Sequence, residues 1–212
     1  MIYKRSLLAA VAGLSLLGGL AVCQPASAQP APAPARIRGT IDKIDGNMLS
    51  VKPRSGADVM IKLTDDLKVV GVKKAQISDI QPGSFIGSAT VPQPDGSEKA
   101  LEVTVFPPSM KGAGEGSYGW DLGANSTMTN GTVGDLVVSN GRTMTVKYDG
   151  QGKGEKKIVV PDDVPIVLLN PEAGRSLLTV GAHIIVVPTK AADGTLTANR
   201  ISVGENGTVP PM

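Results

Sequence analysis

The 212 residues carry 21 Lys and Arg against 19 Asp and Glu, one His, one Cys and only 3% aromatic side chains. The formal charge of +2 resides wholly in Lys4 and Arg5, since residues 1–28 contain no acid; the rest is neutral and calls for no nucleic acid or anionic membrane as partner. One Cys excludes a disulfide framework, and a single apolar run excludes a multi-span permease.

That run comes first in the chain. Lys4 and Arg5 precede an apolar stretch from Leu7 to Val22, and small residues then lead to Ala26-Ser27-Ala28. These are the parts of a secretory signal peptide over 1–28, which places the protein in the periplasm or outside the cell with no transmembrane span after signal removal. An alternative use of the same residues resembles a lipoprotein signal: LAVC at 20–23 would end in a lipid-anchored Cys23, although Val22 departs from the usual small residue. Residues 29–35, QPAPAPA, read as an extended Pro/Ala tether.

From 36 to 106 the chain becomes a series of short alternating segments, IRGTIDKI, NMLSVKP, DVMIKL and KALEVTVF, punctuated by Gly and Pro. Asp45-Gly46 and Asp95-Gly96 are tight-turn dipeptides, and only Ile77–Pro82 suggests a helical turn. The segment 107–130 follows as a Gly-rich connector that holds GEGSYGWD and the only Trp. Residues 131–204 then repeat the first pattern, with a turn at Asn140-Gly141, and 205–212 form a tail.

The repeat is visible residue by residue. Gly39-Thr40-Ile41 matches Gly131-Thr132-Val133, 92 positions on, and Leu49-Ser50-Val51-Lys52 matches Met144-Thr145-Val146-Lys147, 95 on. Asp65-Asp66 matches Asp162-Asp163 at 97, while Gly83-Ser84-Phe85-Ile86 matches Gly181-Ala182-His183-Ile184 at 98. Ala100 and Val103 match Ala198 and Ile201, also at 98. An offset that only grows, in steps that fall in connections, is the mark of a duplicated domain with lengthened loops. About five strands per copy, with an irregular piece after the third, lead to an all-β expectation: two tandem five-stranded OB-like β-barrels joined by the connector.

The order of Gly39-Thr40-Ile41, Leu49 and Val51, Phe85-Ile86 after Gly83, and Asp95-Gly96 before Ala100 and Val103 resembles a family of bacterial exported domains of unknown function. The resemblance covers 37–106 and 131–204 and implies tandem OB-like barrels. It implies no activity.

Chemistry is sparse. His183, the only histidine, stands where Phe85 does in the first copy, which suits a barrel side chain better than a Ser-His-Asp member or a zinc ligand, and no G-x-S-x-G accompanies it. Asp66 and Asp163 are weak metal candidates, because neighbours in an extended chain point to opposite faces and the Asp-Asp pairs suit strand-end turns. Met48, Met60, Met110, Met128 and Met144 are scattered without a copper-binding cluster. Asn125, Asn130 and Asn206 begin N-x-[ST] triplets, discounted here for a bacterial-type signal. Tyr118, Trp120 and Asp121 remain as the candidate partner- or ligand-binding residues. Tyr118 and Trp120 either pin the two copies together or anchor a partner. The expectation is a non-enzymatic, cofactor-free exported module that binds an envelope protein or a small ligand. An ion or solute binder using Asp and carbonyl groups is the alternative, and an envelope hydrolase built on Asp66 or His183 ranks last.

Overall fold

The computed structural model describes residues 35–137, 142–150 and 153–211. The signal peptide, Cys23, tether residues 29–34 and the Asn140-Gly141 turn lie outside the described residues. The first half contributes β1 (Ile37–Asp45), β2 (Met48–Pro53), β3 (Val59–Lys74), β4 (Phe85–Pro92) and β5 (Glu98–Val105). Then come β6 (Gly116–Gly119), β7 (Thr127–Val137), β8 (Thr143–Tyr148), β9 (Gly154–Val159), β10 (Ile166–Asn170), β11 (His183–Val186), β12 (Thr189–Lys190) and β13 (Leu196–Gly204). The protein is all-β: these strands join in one mixed sheet, and the only helical pieces among the described residues are 3₁₀ turns at Ile77–Asp79, Pro108–Met110 and Arg175–Leu177. No helix among the described residues is long and apolar enough to cross a membrane.

The alternation read in the sequence sets the inward faces. Leu49 and Val51 of β2 and their counterparts Met144 and Val146 of β8 are all buried, while the intervening residues lie nearer solvent. β4 departs from alternation. Phe85 to Thr90 are all buried, because β4 is covered on both faces.

Pairing closes the strands into two circuits, and here the structure differs from two barrels that each close within one copy. β1, β2 and β3 pair in succession; β3 then pairs in parallel with β13, β13 with β11, and β11 with β1. The second circuit runs β7, β8, β9, then β5 in parallel, then β4 and back to β7. Each half therefore lends its last two long strands to the other. Two separate cores follow this exchange, one joining Ile41, Leu49 and Ile61 to Ile184 and Ile201, the other joining Ile86 and Val103 to Val133, Val146 and Ile158.

The exchange has a physical origin in β3. Asp65 and Asp66 do not end that strand as a turn would; they sit in a bulge against β13, where Ala198 faces Leu63 and Arg200 already faces Lys68. The apolar run Val69–Val72 keeps the chain extended past this bulge and out of its own circuit. There β3 pairs antiparallel with β10, matching Val72 with Leu169 and Gly71 with Asn170. Leu169 is the counterpart of Val72 at the 97-residue offset. The crossing thus lies on an approximate two-fold axis relating the halves. Val70, Val72, Val167 and Leu169 form a third small core at this crossing, with Phe106 and Met110 against it. Beyond it the 3₁₀ turns at Ile77 and Arg175 and the left-handed Gly83 (φ 86°) and Gly181 (φ 88°) turn each chain segment into the opposite circuit.

Local details recur at the matched positions of the two halves. A Cβ on Gly39 would strike the carbonyl of Lys52, and one on Gly131 would strike that of Lys147, its counterpart. β1 and β7 both shift register just after the matched residues Ile41 and Val133.

A cavity under the connector hairpin

The Gly-rich connector is mostly ordered by hydrogen bonds. Residues 116–119 pair antiparallel with 127–130, so β6 and the start of β7 form a hairpin lying on the second circuit. Its turn is closed by Trp120 N–H donating to Ser126 O (2.8 Å) and Ser126 Oγ donating to Trp120 O (2.9 Å), with Asn125 left-handed at φ 60°. Residues 127–130 run without a break into the rest of β7, so the strand begins inside the segment 107–130.

The hairpin is tied to the first half by charge. The Arg36 guanidinium lies over the Trp120 ring, 3.6 Å from its centroid, and Tyr118 packs beside Trp120 at 6.0 Å. Arg38 donates to both carboxylate oxygens of Asp121, at 2.7 and 3.1 Å, and Arg36 stands 3.5 Å from the same group. These bonds, and then the charges of Arg38 and Arg36, hold the Asp121 carboxyl below its ordinary range despite partial burial. Asp121 is a tie between β1 and the hairpin, and its oxygens are already engaged.

Tyr118 and Trp120 do face open space. A cavity of about 340 Å³ lies between the hairpin and the crossing of the two halves, walled by Phe106, Met110, Tyr118, Trp120, Met128 and Leu169. Ala113, Gly114, Asn130, Arg200 and Ser202 complete its lining. The volume sits near the lower end of small-molecule pockets, about 300–1,000 Å³. Asn130 is 7% exposed and donates from Nδ2 to Gly114 O (2.9 Å) and to the Tyr118 hydroxyl (3.1 Å). Burial is the main reason the Tyr118 phenol is shifted up. The Asn130 Oδ1 sits over Gly87, where a Cβ would not fit, and has no hydrogen-bond partner; the buried Trp120 Nε1 has none either. Leaving such groups unpaired costs about 1–3 kcal/mol each.

The other candidates are dispersed. His183 begins β11 opposite Thr40, whose Oγ1 is 3.2 Å from Nδ1, and it lines a separate cavity of about 370 Å³. The carboxylate of that cavity, Glu205, is bound by Asn170 (2.9 Å) and Lys73 (3.6 Å). Asp66 and Asp163 are both exposed, and their neighbours Asp65 and Asp162 are bound at matching places by Asn47 (3.0 Å) and Arg142. No three His, Cys, Asp or Glu side chains converge as a metal site among the described residues. A cavity of about 430 Å³ beside Arg54, Leu122 and Val209 is larger but has only Arg54 as a polar side chain.

Arg36, Arg38, Glu102 and Arg200 escaped the sequence reading, and Asn130 was noted there only as the start of an N-x-[ST] triplet. Glu102 is fully buried on β5, accepting from Ala89 N–H (3.0 Å) and the Thr104 hydroxyl (3.0 Å). Burial pushes its carboxyl up to about 7, against the pull of those two bonds and the Arg38 charge. The signal that could have found this pair of positions was present. Ala100 and Val103 align with Ala198 and Ile201, so Glu102 aligns with Arg200, an acid with a base. No family model, curated protein or solved structure matches the chain.

Proposed function

We propose that this is an exported bacterial, non-enzymatic ligand-binding module, built from two OB-like five-strand barrels that exchange their last strands, with its binding site in the cavity under the connector hairpin. The signal-like residues 1–28 and the resemblance to exported tandem domains support the periplasmic or secreted location. The circuit order, with the third and fifth strands of each circuit parallel, supports the OB-like reading. One observation carries the binding reading: a cavity of about 340 Å³ is walled by aromatic and Met side chains, with Arg200, Ser202 and Asn130 as the polar residues of its lining. Apolar walls with a few convergent polar groups are the ordinary make-up of a small-molecule site.

A protein partner anchored on an exposed Trp120 fits less well, because Arg36 covers the face of that ring. The ion-binding alternative has only the separate, exposed Asp66 and Asp163 to offer. The test is a thermal-shift screen of small apolar and amphipathic molecules against the full chain and an Ala113→Phe variant that plugs the cavity mouth. A ligand specific to the folded state raises its stability. Hits lost in Ala113→Phe support the reading, whereas stabilisation by Ca²⁺ that EDTA reverses, with no organic hit, would replace it with the ionic one.

A further inference from the structure

Arg200 distinguishes this cavity from an ordinary apolar hole. It lies on β13 in the sequence Arg200-Ile201-Ser202, where Ile201 points into the first core and Arg200 and Ser202 line the cavity. Among the described residues Arg200 makes no ion pair or side-chain hydrogen bond. Its counterpart across the approximate two-fold axis is Glu102, and the counterpart of Asn130, 92 residues back, is Arg38. On one side of the axis, then, a guanidinium and a carboxylate occupy the two matched places. On the other side the guanidinium is Arg200, and an amide stands where its opposite charge would be.

The acids of the adjoining β3 bulge, Asp65 and Asp66, form no ion pair with Arg200, and Asp65 accepts from Asn47. Lys68 lies opposite Arg200 in the β3–β13 pairing, and Arg36 covers Trp120 at the hairpin turn. Asp121 is the nearest carboxylate of the hairpin, and Arg38 holds both its oxygens. The cavity therefore combines an apolar, aromatic body with a cation that no ion pair of the described residues engages. Resting on the cavity being the binding site, we infer that its ligand is a small amphipathic anion. An apolar or aromatic body packs against Phe106, Met110, Trp120 and Leu169, and one carboxylate or sulfonate head reaches Arg200. A planar guanidinium is the side chain suited to such a head, because it donates two parallel N–H bonds to one oxyanion.

Trp120 is the only tryptophan, so its fluorescence reports on this wall alone. The probes are 8-anilinonaphthalene-1-sulfonate, an aromatic anion, and N-phenyl-1-naphthylamine, the same body without the charge. Both should quench Trp120 saturably in the full chain. Arg200→Gln should weaken the sulfonate roughly tenfold or more, the loss expected for a charge-assisted contact, and leave the amine unchanged. Arg200→Lys should recover part of the loss. Ala113→Phe should block both probes. Equal sulfonate binding in wild type and Arg200→Gln, still blocked by Ala113→Phe, would overturn the anion inference while the cavity stands. Failure of both probes to quench Trp120, or quenching indifferent to Ala113→Phe, would remove the cavity reading and this inference with it.

Discussion

Glu102 and Arg200 occupy matched places on β5 and β13, 98 residues apart, and the fold treats them in opposite ways. The acid is fully buried, bonded to Ala89 and Thr104 and within the field of Arg38; the base is exposed at a cavity with no partner among the described residues. Their surroundings are equally matched in place and unlike in chemistry. Arg36 and Arg38 stand where the other half has Met128 and Asn130, and Ile185 stands where it has Gly87. The two halves share their matched glycines, bulges and inward faces. They differ where they meet: one face is a closed polar junction and the other a lined cavity.

The shared part of the comparison gives the largest expected effect. Gly39→Ala and Gly131→Ala each force a Cβ into a backbone carbonyl that a paired strand cannot withdraw. Each should cost about 3 kcal/mol, the upper end of overpacking, and the two costs should agree within about 1 kcal/mol. Urea unfolding measures both. A large difference between them would break the equivalence of the circuits.

The buried acid comes next, and its sign can be worked through. The Glu102 carboxyl is raised from its ordinary value to about 7. Between those two values the folded chain holds a proton that the unfolded chain has lost. This contribution is complete in acid, falls as pH rises towards 7, and is gone above it. At 1.36 kcal/mol per unit, the swing is roughly 3 kcal/mol. Glu102→Gln, which mimics the protonated acid, should flatten the stability profile between pH 5 and 8. It should also be more stable than wild type at pH 8. A variant that keeps the wild-type slope would assign the titration to another group. Asp121 runs the other way, since its lowered carboxyl stabilises above its unfolded value and loses that contribution as pH falls. It is 43% exposed, so Asp121→Asn should cost no more than about 1 kcal/mol at pH 7, and less in high salt.

What the sequence displayed of this arrangement follows from which forces act locally. Strand faces, the glycines needed at Gly83 and Gly181, and the repeat itself are written in neighbouring residues. The exchange of strands is not, because closing β4 onto β1 or onto β7 buries the same side chains in the same register. Only the continued extension of Val69–Lys74 decides between them, and an apolar run of that length reads alike as a strand end or a crossing. The cavity was half legible. Tyr118 and Trp120 stood out by rarity, but Arg200, Asn130 and Arg36 come from three other segments and meet only after the exchange.

The smallest effect concerns the acidic pairs, and it separates conserved position from conserved chemistry. Asp65 accepts from Asn47 in the first half, and Asp162 accepts from Arg142 in the second, at matched places next to the bulge of β3 and the gap between β9 and β10. Asn47 is neutral and Arg142 is charged, so the same tie is a plain hydrogen bond in one copy and an ion pair in the other. Asp65→Ala and Asp162→Ala should each cost below about 1 kcal/mol, as surface contacts do. Salt should weaken the second effect and leave the first alone, because screening acts on the charged pair. Chemical denaturation by urea at 0.05 and 0.5 M NaCl reads both. Equal salt dependence in the two variants would mean that both Asp side chains answer to the general field of the surface, and that the ties to Asn47 and Arg142 contribute nothing of their own.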